Sequence, residues 1–509
     1  MTVKTRVIAK EQSDCGNLRH LPNLKYELPK ITIILAKECF RQKQTKNLQF
    51  IAAKLLIFLS LAGYNRIEKC PKGQKSISER CKLMEIKRDL YLNQLIERKQ
   101  NGLIKVITGI RRCGKSYLLN TLFYDYLKNS GVDENHIIKF AFDSSVDLKS
   151  IGENIVTLEK EKRKVDPDKF ITYIQSKMTD KETYYLLLDE VQLLDCFESV
   201  LNGYLHMDNV DVYVTGSNAK FLSKDIITEF AGRGDEIHMQ PLSFAEFMSA
   251  YKGDKYEGLT EYMLYGGIPM VVLRDGAENK SLMLKRLFDE IYIRDIETRH
   301  KVRNKADLED LLNILSSSIG SLTNPEKLKN TFHSVKKSNI TSATIKKYLE
   351  YFSDCFLVES ASRYDIKGKA YIDTPLKYYF SDLGLRNARI NFRQFEQPHS
   401  MENIIYNELR LRGFSVDVGV VITKEQGIRK QLEVDFVCNL GTKRYYIQSA
   451  YSLPSEEKRS QEIRPFTRID DSFKKIVITG DMSPTYYNDN GVLFMNIFDF
   501  LLKPDNLNL

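Results

Sequence analysis

The sequence lacks closely paired cysteines, a long uninterrupted apolar run and an internal repeat. Its eight cysteines form no Cys-x-x-Cys pair, which disfavours a disulfide framework or a cysteine zinc site and favours reduced thiols in a cytoplasmic protein. The one long apolar stretch, at 48–63, is interrupted by Lys54 and is short for a membrane span. We therefore expect no membrane partner. Because there is no repeat or coiled-coil pattern, the sequence leaves the oligomeric state open.

The net charge of +9 is concentrated near the N-terminus. Residues 1–83 hold 17 Lys+Arg and 6 Asp+Glu, whereas residues 84–509 hold 59 and 61. A basic extension thus precedes a nearly neutral protein. The extension is interpreted either as an anchor or nucleic-acid arm, or as a poorly folded segment, and its lack of periodicity favours the second. Because Met84 begins a stretch typical of a protein start, we expect the functional protein to begin there.

Length and patterning indicate an α/β fold. A chain of 509 residues with 42% apolar residues predicts two to four folded domains. Beyond Met84 the sequence has several continuous apolar runs, which are typical of buried parallel strands, and a helical pattern at 117–129 follows the first of them. The predicted strands are 103–108, 136–143, 184–190 and 210–218.

The sequence GIRRCGKS, at 109–116, follows the first predicted strand. Gly109 and Gly114 allow a tight loop whose N–H groups meet phosphate oxygens at a helix N-terminus. Lys115 supplies a cation for the β and γ phosphates, and the Ser116 hydroxyl is a ligand for Mg²⁺. The alternative is a glycine-rich turn that matches by chance. The expected ATP contacts are Gly109, Ile110, Arg111, Arg112, Cys113, Gly114, Lys115, Ser116 and Tyr117.

Two further motifs stand at the ends of predicted strands. In LLLDE, at 186–190, Asp189 is placed to hold Mg²⁺ and Glu190 to act as general base on the attacking water. In TGSN, at 215–218, Asn218 or Ser217 is a hydrogen-bond donor for the γ-phosphate or the water. Ligands of open α/β sheets bind at the carboxyl ends of strands, so the three motifs together predict a nucleotide site with ATP and Mg²⁺.

The sequence resembles the AAA-type ATPases of bacteria and archaea that carry a C-terminal domain of unknown function. The resemblance runs from Met84 to the end of the chain. It is carried by GIRRCGKS, LLLDEVQ, VTGSNAKFLS, AGRGDEIHMQPLSFAEF, YGGIPMVV, KYYFSDLGLRNARINF and ENIIYNELRLRG. It implies a P-loop NTPase sheet at 84–243, a helical lid at 244–304, a winged-helix-like segment at 305–385 and a restriction-endonuclease-like domain at 386–509.

The resemblance also suggests a role for Arg233 outside the loop, and Cys113 inside the loop has two interpretations of its own. Arg233, in the AGRG turn, is the candidate arginine finger or sensor, acting in cis or from a neighbouring subunit. The alternative is a structural arginine that caps the preceding helix. Cys113 is either a redox-sensitive thiol at the helix N-terminus or a residue without a role, because the loop places no requirement on the side chain at this position.

The helix at 342–355 of the winged-helix-like segment carries Lys346 and Lys347. The functional interpretation is contact with a nucleic-acid backbone. The alternative is a solvated helix face, which the absence of a strong basic patch favours.

The last domain has the element order of a restriction-endonuclease-like core, whose catalytic centre needs an acidic helix residue, an Asp and a Glu-x-Lys pair. Glu402 or Glu408 and Asp435 supply the first two, but the pair reads Gln448-Ser449-Ala450. Lys443 is the candidate for a migrated lysine. We predict that this domain does not cut phosphodiester bonds and serves as a binding platform.

The sequence therefore predicts a cytoplasmic Mg²⁺-dependent ATPase whose cycle drives conformational change in its C-terminal modules. Three uses stand as alternatives: a motor or switch on nucleic acid, a signalling or scaffold ATPase acting on protein partners, and an ATP-gated nuclease.

Overall fold

The first sheet is an open parallel sheet. The computed structural model describes residues 86–216, 232–293, 296–297, 300–425 and 427–508, and Met84–Leu509 forms one compact unit. The strands are β1 (Ile104–Thr108), β2 (Ile137–Ala141), β3 (Tyr184–Asp189), β4 (Val210–Thr215) and β5 (Gly234–His238). They are ordered β2-β3-β4-β1-β5, and every pair is parallel. The predicted parallel α/β sheet is confirmed.

Both faces of this sheet are buried, which is why its strands read as continuous apolar runs. In β3, Leu187 packs into one core cluster and Leu186 into another on the opposite face. The flanking helices are Asp89–Glu97, Lys115–Tyr117 with its continuation through a π-helical turn (Leu118–Phe123) into Tyr124–Asn129, Ser145–Ser150, Ile155–Glu161, Pro167–Lys177 and Phe197–Tyr204.

A run of helices follows the first sheet. Ser243 begins it with a capping box, in which the Ser243 hydroxyl accepts the Glu246 N–H at 3.2 Å and the Glu246 carboxylate accepts the Ser243 N–H at 2.9 Å. The helices are Phe244–Ala250, Lys255–Tyr265, Pro269–Val272, Ala277–Arg286 and the π-helical Leu287–Ile293. Within the described ranges, no helix combines the length and the apolar character that crossing a bilayer demands.

The second sheet has nine strands and crosses the boundary expected at 385/386. Three helices lead into it: Lys305–Ser317, Pro325–Thr331 (extended by the π-helical Phe332–Lys336) and Ser342–Asp354. Its first strands are β6 (Leu322–Thr323), β7 (Val358–Asp365) and β8 (Ala370–Phe380). The hairpin of β7 and β8, called the wing hairpin after its expected position, pairs with the strands that follow and shares one sheet with them. The winged-helix interpretation of this segment stays a prediction.

The remaining strands are β9 (Ser415–Glu425), β10 (Ile428–Leu440), β11 (Lys443–Ala450), β12 (Lys474–Thr479), β13 (Tyr486–Tyr487) and β14 (Leu493–Asn496). The order is β13-β14-β12-β11-β10-β9-β7-β8-β6. The helices here are Leu383–Arg389, Gln397–Leu411, Glu456–Ile463 and Ile497–Leu502. One continuous apolar core runs from the first sheet through the lid helices to this second sheet, so the parts are packed together.

Candidate functional site

The loop at 109–114 turns tightly at the carboxyl end of β1. Gly109 and Gly114 have φ angles of 132° and 108°, in the region that favours glycine. A Cβ atom on Gly109 would lie 2.0 Å from the carbonyl oxygen of Met239, so glycine alone fits there. The loop leads into the N-terminus of the helix that begins at Lys115, where unpaired N–H groups and the helix dipole favour a phosphate.

Lys115 is held inside the curve of this loop. Its Nζ donates hydrogen bonds to the carbonyl oxygens of Gly109, at 2.8 Å, and Ile110, at 3.0 Å. The side chain is buried. The ammonium is thus fixed at the position where phosphate oxygens would meet the loop.

A cavity of about 530 Å³ opens over the loop, within the size range of small-ligand sites. Six of the expected nucleotide contacts line it: Arg111, Arg112, Gly114, Lys115, Ser116 and Tyr117. Ile110 and Cys113 instead pack into the apolar core, and the Cys113 thiol donates to the carbonyl oxygen of Met239 at 3.4 Å. A thiol in that position is shielded from solvent oxidants.

Asp189 ends β3 behind the loop. Its carboxylate accepts hydrogen bonds from the Thr215 and Ser116 hydroxyls, and Asn120 donates to it at 3.5 Å. Burial raises the pKa of Asp189, and the hydroxyl bonds oppose that shift. A hydroxyl beside a carboxylate is a hard oxygen donor set that fits Mg²⁺, which takes one or two carboxylates together with water and phosphate oxygens. The described residues contain no cluster of three or more His, Cys, Asp or Glu that could hold a metal.

Glu190 lies in the cavity wall. Its backbone is left-handed, with φ of 53°, and its N–H donates to the Thr215 hydroxyl at 3.0 Å. The side-chain amide of Gln192 donates to its Oε2. The carboxylate is therefore turned out of the line of β3 and held at the cavity, where a water next to the phosphate would stand.

Five cavity residues were given no role from the sequence: Asp143, Gln192, Leu193, Pro269 and Met270. Asp143 follows β2, and burial together with repulsion from Glu190 raises its pKa. The signal for it was the acidic end of the predicted strand 136–143. Pro269 and Met270 come from the lid sequence YGGIPMVV, and no feature of that stretch alone shows that it faces the loop.

The structure does not bring Arg233 to this cavity. Arg233 is exposed and precedes β5, and its carbonyl oxygen accepts the N–H of Ile104 at the start of β1. It therefore lies at the amino end of the strands, whereas the loop lies at their carboxyl end. Five strand residues separate the two edges, or about 16 Å. This position does not bring Arg233 to the cavity of its own chain, and its role as arginine finger or sensor stays a prediction. Asn218 and Ser217 lie outside the described residues.

In the second sheet, Glu402 rather than Glu408 lies beside Asp435. Glu408 pairs with Arg412 at 2.8 Å, whereas Glu402 raises the pKa of Asp435 by repulsion. Lys443 is not the migrated lysine, because it pairs with Leu440 at the far end of β11 from Gln448. The lysine that does reach the carboxylates is Lys377 of β8, which no local pattern indicated.

Lys346 and Lys347 are exposed on the helix Ser342–Asp354. Glu350 is exposed one turn further on, and Lys346 acts electrostatically on Glu326 of the preceding helix. The lysines thus face solvent in a mixed-charge setting, and their contact with nucleic acid stays a prediction.

Comparison with known proteins places two family models on the chain. The model described as an AAA domain matches residues 101–248, and that described as a domain of unknown function (DUF8612) matches residues 256–396. The second match spans the lid, the wing hairpin and the segment that follows, across the boundary expected at 304/305.

Relatives align over most of the chain. An uncharacterised protein of Haemophilus influenzae is 35% identical over 82% of this chain and 99% of its own length. The uncharacterised protein MJ1544 of Methanocaldococcus jannaschii is 29% identical over 80% of this chain and 86% of its own. Among solved structures, the Aeropyrum pernix ORC2 protein in its ADP form is 11% identical with a TM-score of 0.29, covering 65% of this chain and 97% of that one.

The glycine loop and the acidic residues Asp189 and Glu190 at the end of β3 lie within the residues that the AAA-domain model matches. The chain belongs to the family of AAA-domain proteins of bacteria and archaea that carry a domain of unknown function after the AAA domain.

Proposed function

We propose that the chain is a Mg²⁺-dependent ATPase. The observation that carries this proposal is that Lys115, Ser116 and Glu190 line one cavity, and that the Ser116 hydroxyl is hydrogen-bonded to the Asp189 carboxylate. Catalysis of phosphoryl transfer consists mostly of positioning and charge stabilisation. These side chains provide a cation, two oxygen ligands and a carboxylate that accepts a proton from water.

Each residue has a separate task in this proposal. Lys115 exchanges its bonds to the loop carbonyls for bonds to phosphate oxygens. Ser116 and Asp189 would hold Mg²⁺, which supplies charge neutralisation for the phosphates when it is bound. Glu190 orients and polarises the attacking water, and Gln192 keeps the Glu190 carboxylate from rotating away.

We further propose that hydrolysis drives movement of the second sheet through residues 266–270, here called the lid loop. Pro269 and Met270 form part of the cavity wall. Two residues earlier, the N–H of Gly267 donates to the Asp382 carboxylate at 2.7 Å. Asp382 lies two residues after the end of β8 and caps the N-terminus of the helix Leu383–Arg389. A change at the nucleotide therefore has a continuous path of packed groups to β8.

The contact between the lid loop and Asp382 is close and highly specific. A Cβ on Gly266 would lie 2.3 Å from the Asp382 carboxylate, and one on Gly384 would lie 2.1 Å from the carbonyl oxygen of Tyr265. The Asn387 amide also donates to the carbonyl oxygens of Met263 and Leu264, at 2.8 and 2.9 Å. Such interlocked backbones transmit a shift because neither side has room to absorb it.

A second contact joins Thr108, the residue before the loop at 109–114, to the second sheet. The Thr108 hydroxyl lies 2.9 Å from Nδ1 of His238 at the end of β5, and Nε2 of that ring lies 3.8 Å from Glu359 of β7. Burial lowers the pKa of His238. Thr108 immediately precedes Gly109, so this contact also links the start of the loop to the second sheet.

Turnover of ATP by the full chain, with and without double-stranded DNA, single-stranded DNA or RNA, tests the proposal. We expect Mg²⁺-dependent phosphate release by the parent and its loss in Lys115→Ala. Stimulation by a nucleic acid would support a motor or switch on that polymer, and indifference would support a protein partner. Absence of hydrolysis in a folded parent that binds ATP would contradict the ATPase assignment.

A further inference from the structure

Lys377 lies among three carboxylates in the second sheet. Its Nζ is 2.9 Å from Glu402 Oε1, 2.7 Å from Glu433 Oε1 and 3.9 Å from Asp435 Oδ1. The Lys377 side chain is only 5% exposed, those of Glu402 and Asp435 are 11% and 13% exposed, and that of Glu433 is 36% exposed. An ammonium ion thus stands at the common focus of a largely buried acidic cluster.

Three separate elements bring this cluster together. Lys377 comes from β8, Glu402 from the helix Gln397–Leu411, and Glu433 and Asp435 from β10. The register of β10 against β9 shifts between Val434 and Val437, and such irregularities redirect side chains. The Tyr379 hydroxyl also donates to Glu402 Oε1 at 2.7 Å. The arrangement is therefore constructed over a long sequence distance and is not a chance surface pair.

The cluster stands where a restriction-endonuclease-like centre would hold Mg²⁺, and its residues do not fit that ion. The ammonium of Lys377 already occupies the point on which the carboxylates converge. Gln448 brings no charge, and its Oε1 accepts the Asp435 N–H at 3.3 Å while its amide donates to Glu462 at 3.3 Å. Asp435 Oδ2 accepts the Ser449 N–H at 2.8 Å. Gln448 Oε1 and Asp435 Oδ2 are therefore engaged within the protein.

Charge balance leads to the same result. Burial and repulsion from Glu402 raise the pKa of Asp435 to about 8, although Lys377 opposes the shift. A raised pKa favours the neutral form of the Asp435 carboxyl, which lowers the negative charge that the cluster could offer to a divalent ion. A divalent ion could enter only by displacing the ammonium, which would leave a buried cation without its partners, and such a loss is strongly unfavourable.

We infer that Lys377 is the resident cation of this centre and takes the place of a divalent metal ion. The cluster then fastens the helix Gln397–Leu411 to strands β8 and β10 and has no part in phosphodiester chemistry. This inference is independent of the ATPase proposal, because no residue of the nucleotide cavity enters it.

Binding of Mn²⁺, followed by electron paramagnetic resonance on the nucleotide-free full chain, tests the inference. We expect no Mn²⁺ at the cluster of the parent protein, and one additional bound Mn²⁺ in Lys377→Met. Lys377→Met/Asp435→Asn should lose that added ion. The exposed Lys367→Met serves as matched control and should behave like the parent. Mn²⁺ binding by the parent that disappears in Asp435→Asn would overturn the inference, as would a folded Lys377→Met variant with no added ion.

Stability gives a second readout in case Lys377→Met does not fold. The double variant Lys377→Met/Glu402→Gln also removes the charge of Glu402 and should then recover folding. The reason is that Lys377→Met would lose stability through carboxylates left without a cation. No recovery would count against the resident-cation role. The parent should also leave supercoiled, linear and single-stranded DNA and RNA intact with Mg²⁺ or Mn²⁺ and ATP. Cleavage that disappears in Asp435→Ala would overturn the inference.

Discussion

The Thr215 hydroxyl donates to Asp189 Oδ1 and accepts the backbone N–H of Glu190 at 3.0 Å. One side chain at the end of β4 thus fixes both acidic residues of the neighbouring strand. It orients the proposed metal ligand and, through the backbone, the proposed base.

We expect Thr215→Val to lower the rate of ATP hydrolysis by about 10- to 100-fold, the cost typical of losing a group that orients a metal ligand. Valine keeps the shape of threonine and removes the hydroxyl. Steady-state phosphate release should show the loss mainly in kcat. The exposed Thr172→Val is the matched control, and equal activity of the two variants would contradict the role of Thr215.

Lys115→Ala and Glu190→Gln should fail in different ways. Removal of the Lys115 cation should weaken ATP binding by about 10- to 100-fold, as expected for the loss of a charge-assisted bond. Glu190→Gln keeps the cavity and removes the base, which should lower turnover by about 10²- to 10⁴-fold while ATP stays bound. Equilibrium binding and single-turnover hydrolysis separate the two effects. The exposed Glu182→Gln is the control, and parental turnover in Glu190→Gln would show that the base is another residue.

Much of the nucleotide site was predictable from the sequence because its parts are local. The glycine loop follows β1, Asp189 ends β3 and Glu190 follows it, and the carboxyl ends of parallel strands meet at one edge. A single acidic residue after β2, such as Asp143, carries no comparable local signal. Its place in the cavity depends on β2 lying beside β3.

The features that sequence reasoning misplaced or missed depend on long-range geometry. Arg233 precedes its strand, so the parallel register of β5 with β1 puts it at the wrong edge. Lys377 meets residues 25 to 58 positions further along the chain, and its strand gives no hint of that pairing. The wing hairpin joins the second sheet through β7 and β9, a pairing that element order cannot indicate.

We expect Arg233→Ala to leave ATP turnover by the isolated single chain unchanged, because its strand end is remote from the cavity of the same molecule. Phosphate release should be measured across a range of protein concentrations. If turnover falls, mixing Arg233→Ala with Lys115→Ala decides the cause. Recovery in the mixture would show that Arg233 completes the site of a neighbouring subunit.

Asp382→Asn should disconnect the lid loop from β8. The carboxylate accepts N–H groups from both Gly267 and Leu385, and an amide supplies one fewer acceptor. Hydrogen exchange of residues 381–389 should respond to a nonhydrolysable ATP analogue in the parent and respond less in this variant. Asp373→Asn, exposed on β8, should respond like the parent. An undiminished response in Asp382→Asn would place the transmission elsewhere.

Asp435 should make the folded chain less stable as the pH rises from about 4 to about 8. Its pKa is raised from 3.8 to about 8, chiefly by burial. In this interval the native protein keeps a proton that the unfolded chain has released. Stability therefore decreases with pH, by at most about 1.4 kcal/mol per pH unit for one proton. Asp435→Asn resembles the protonated form at every pH and should remove this contribution.

Urea denaturation of the full chain between pH 5 and pH 8.5 measures the effect. The unfolding free energy of the parent, relative to that of Asp435→Asn, should fall steadily toward pH 8 and then level off. The exposed Asp505→Asn should keep a constant offset from the parent across the range. Because titrating groups remote from the cluster contribute equally to parent and variant, the difference reports the titration of Asp435 together with its neighbours in the cluster. Parallel profiles for the parent and Asp435→Asn would show that the Lys377 cluster holds Asp435 ionised, with its full negative charge facing the ammonium.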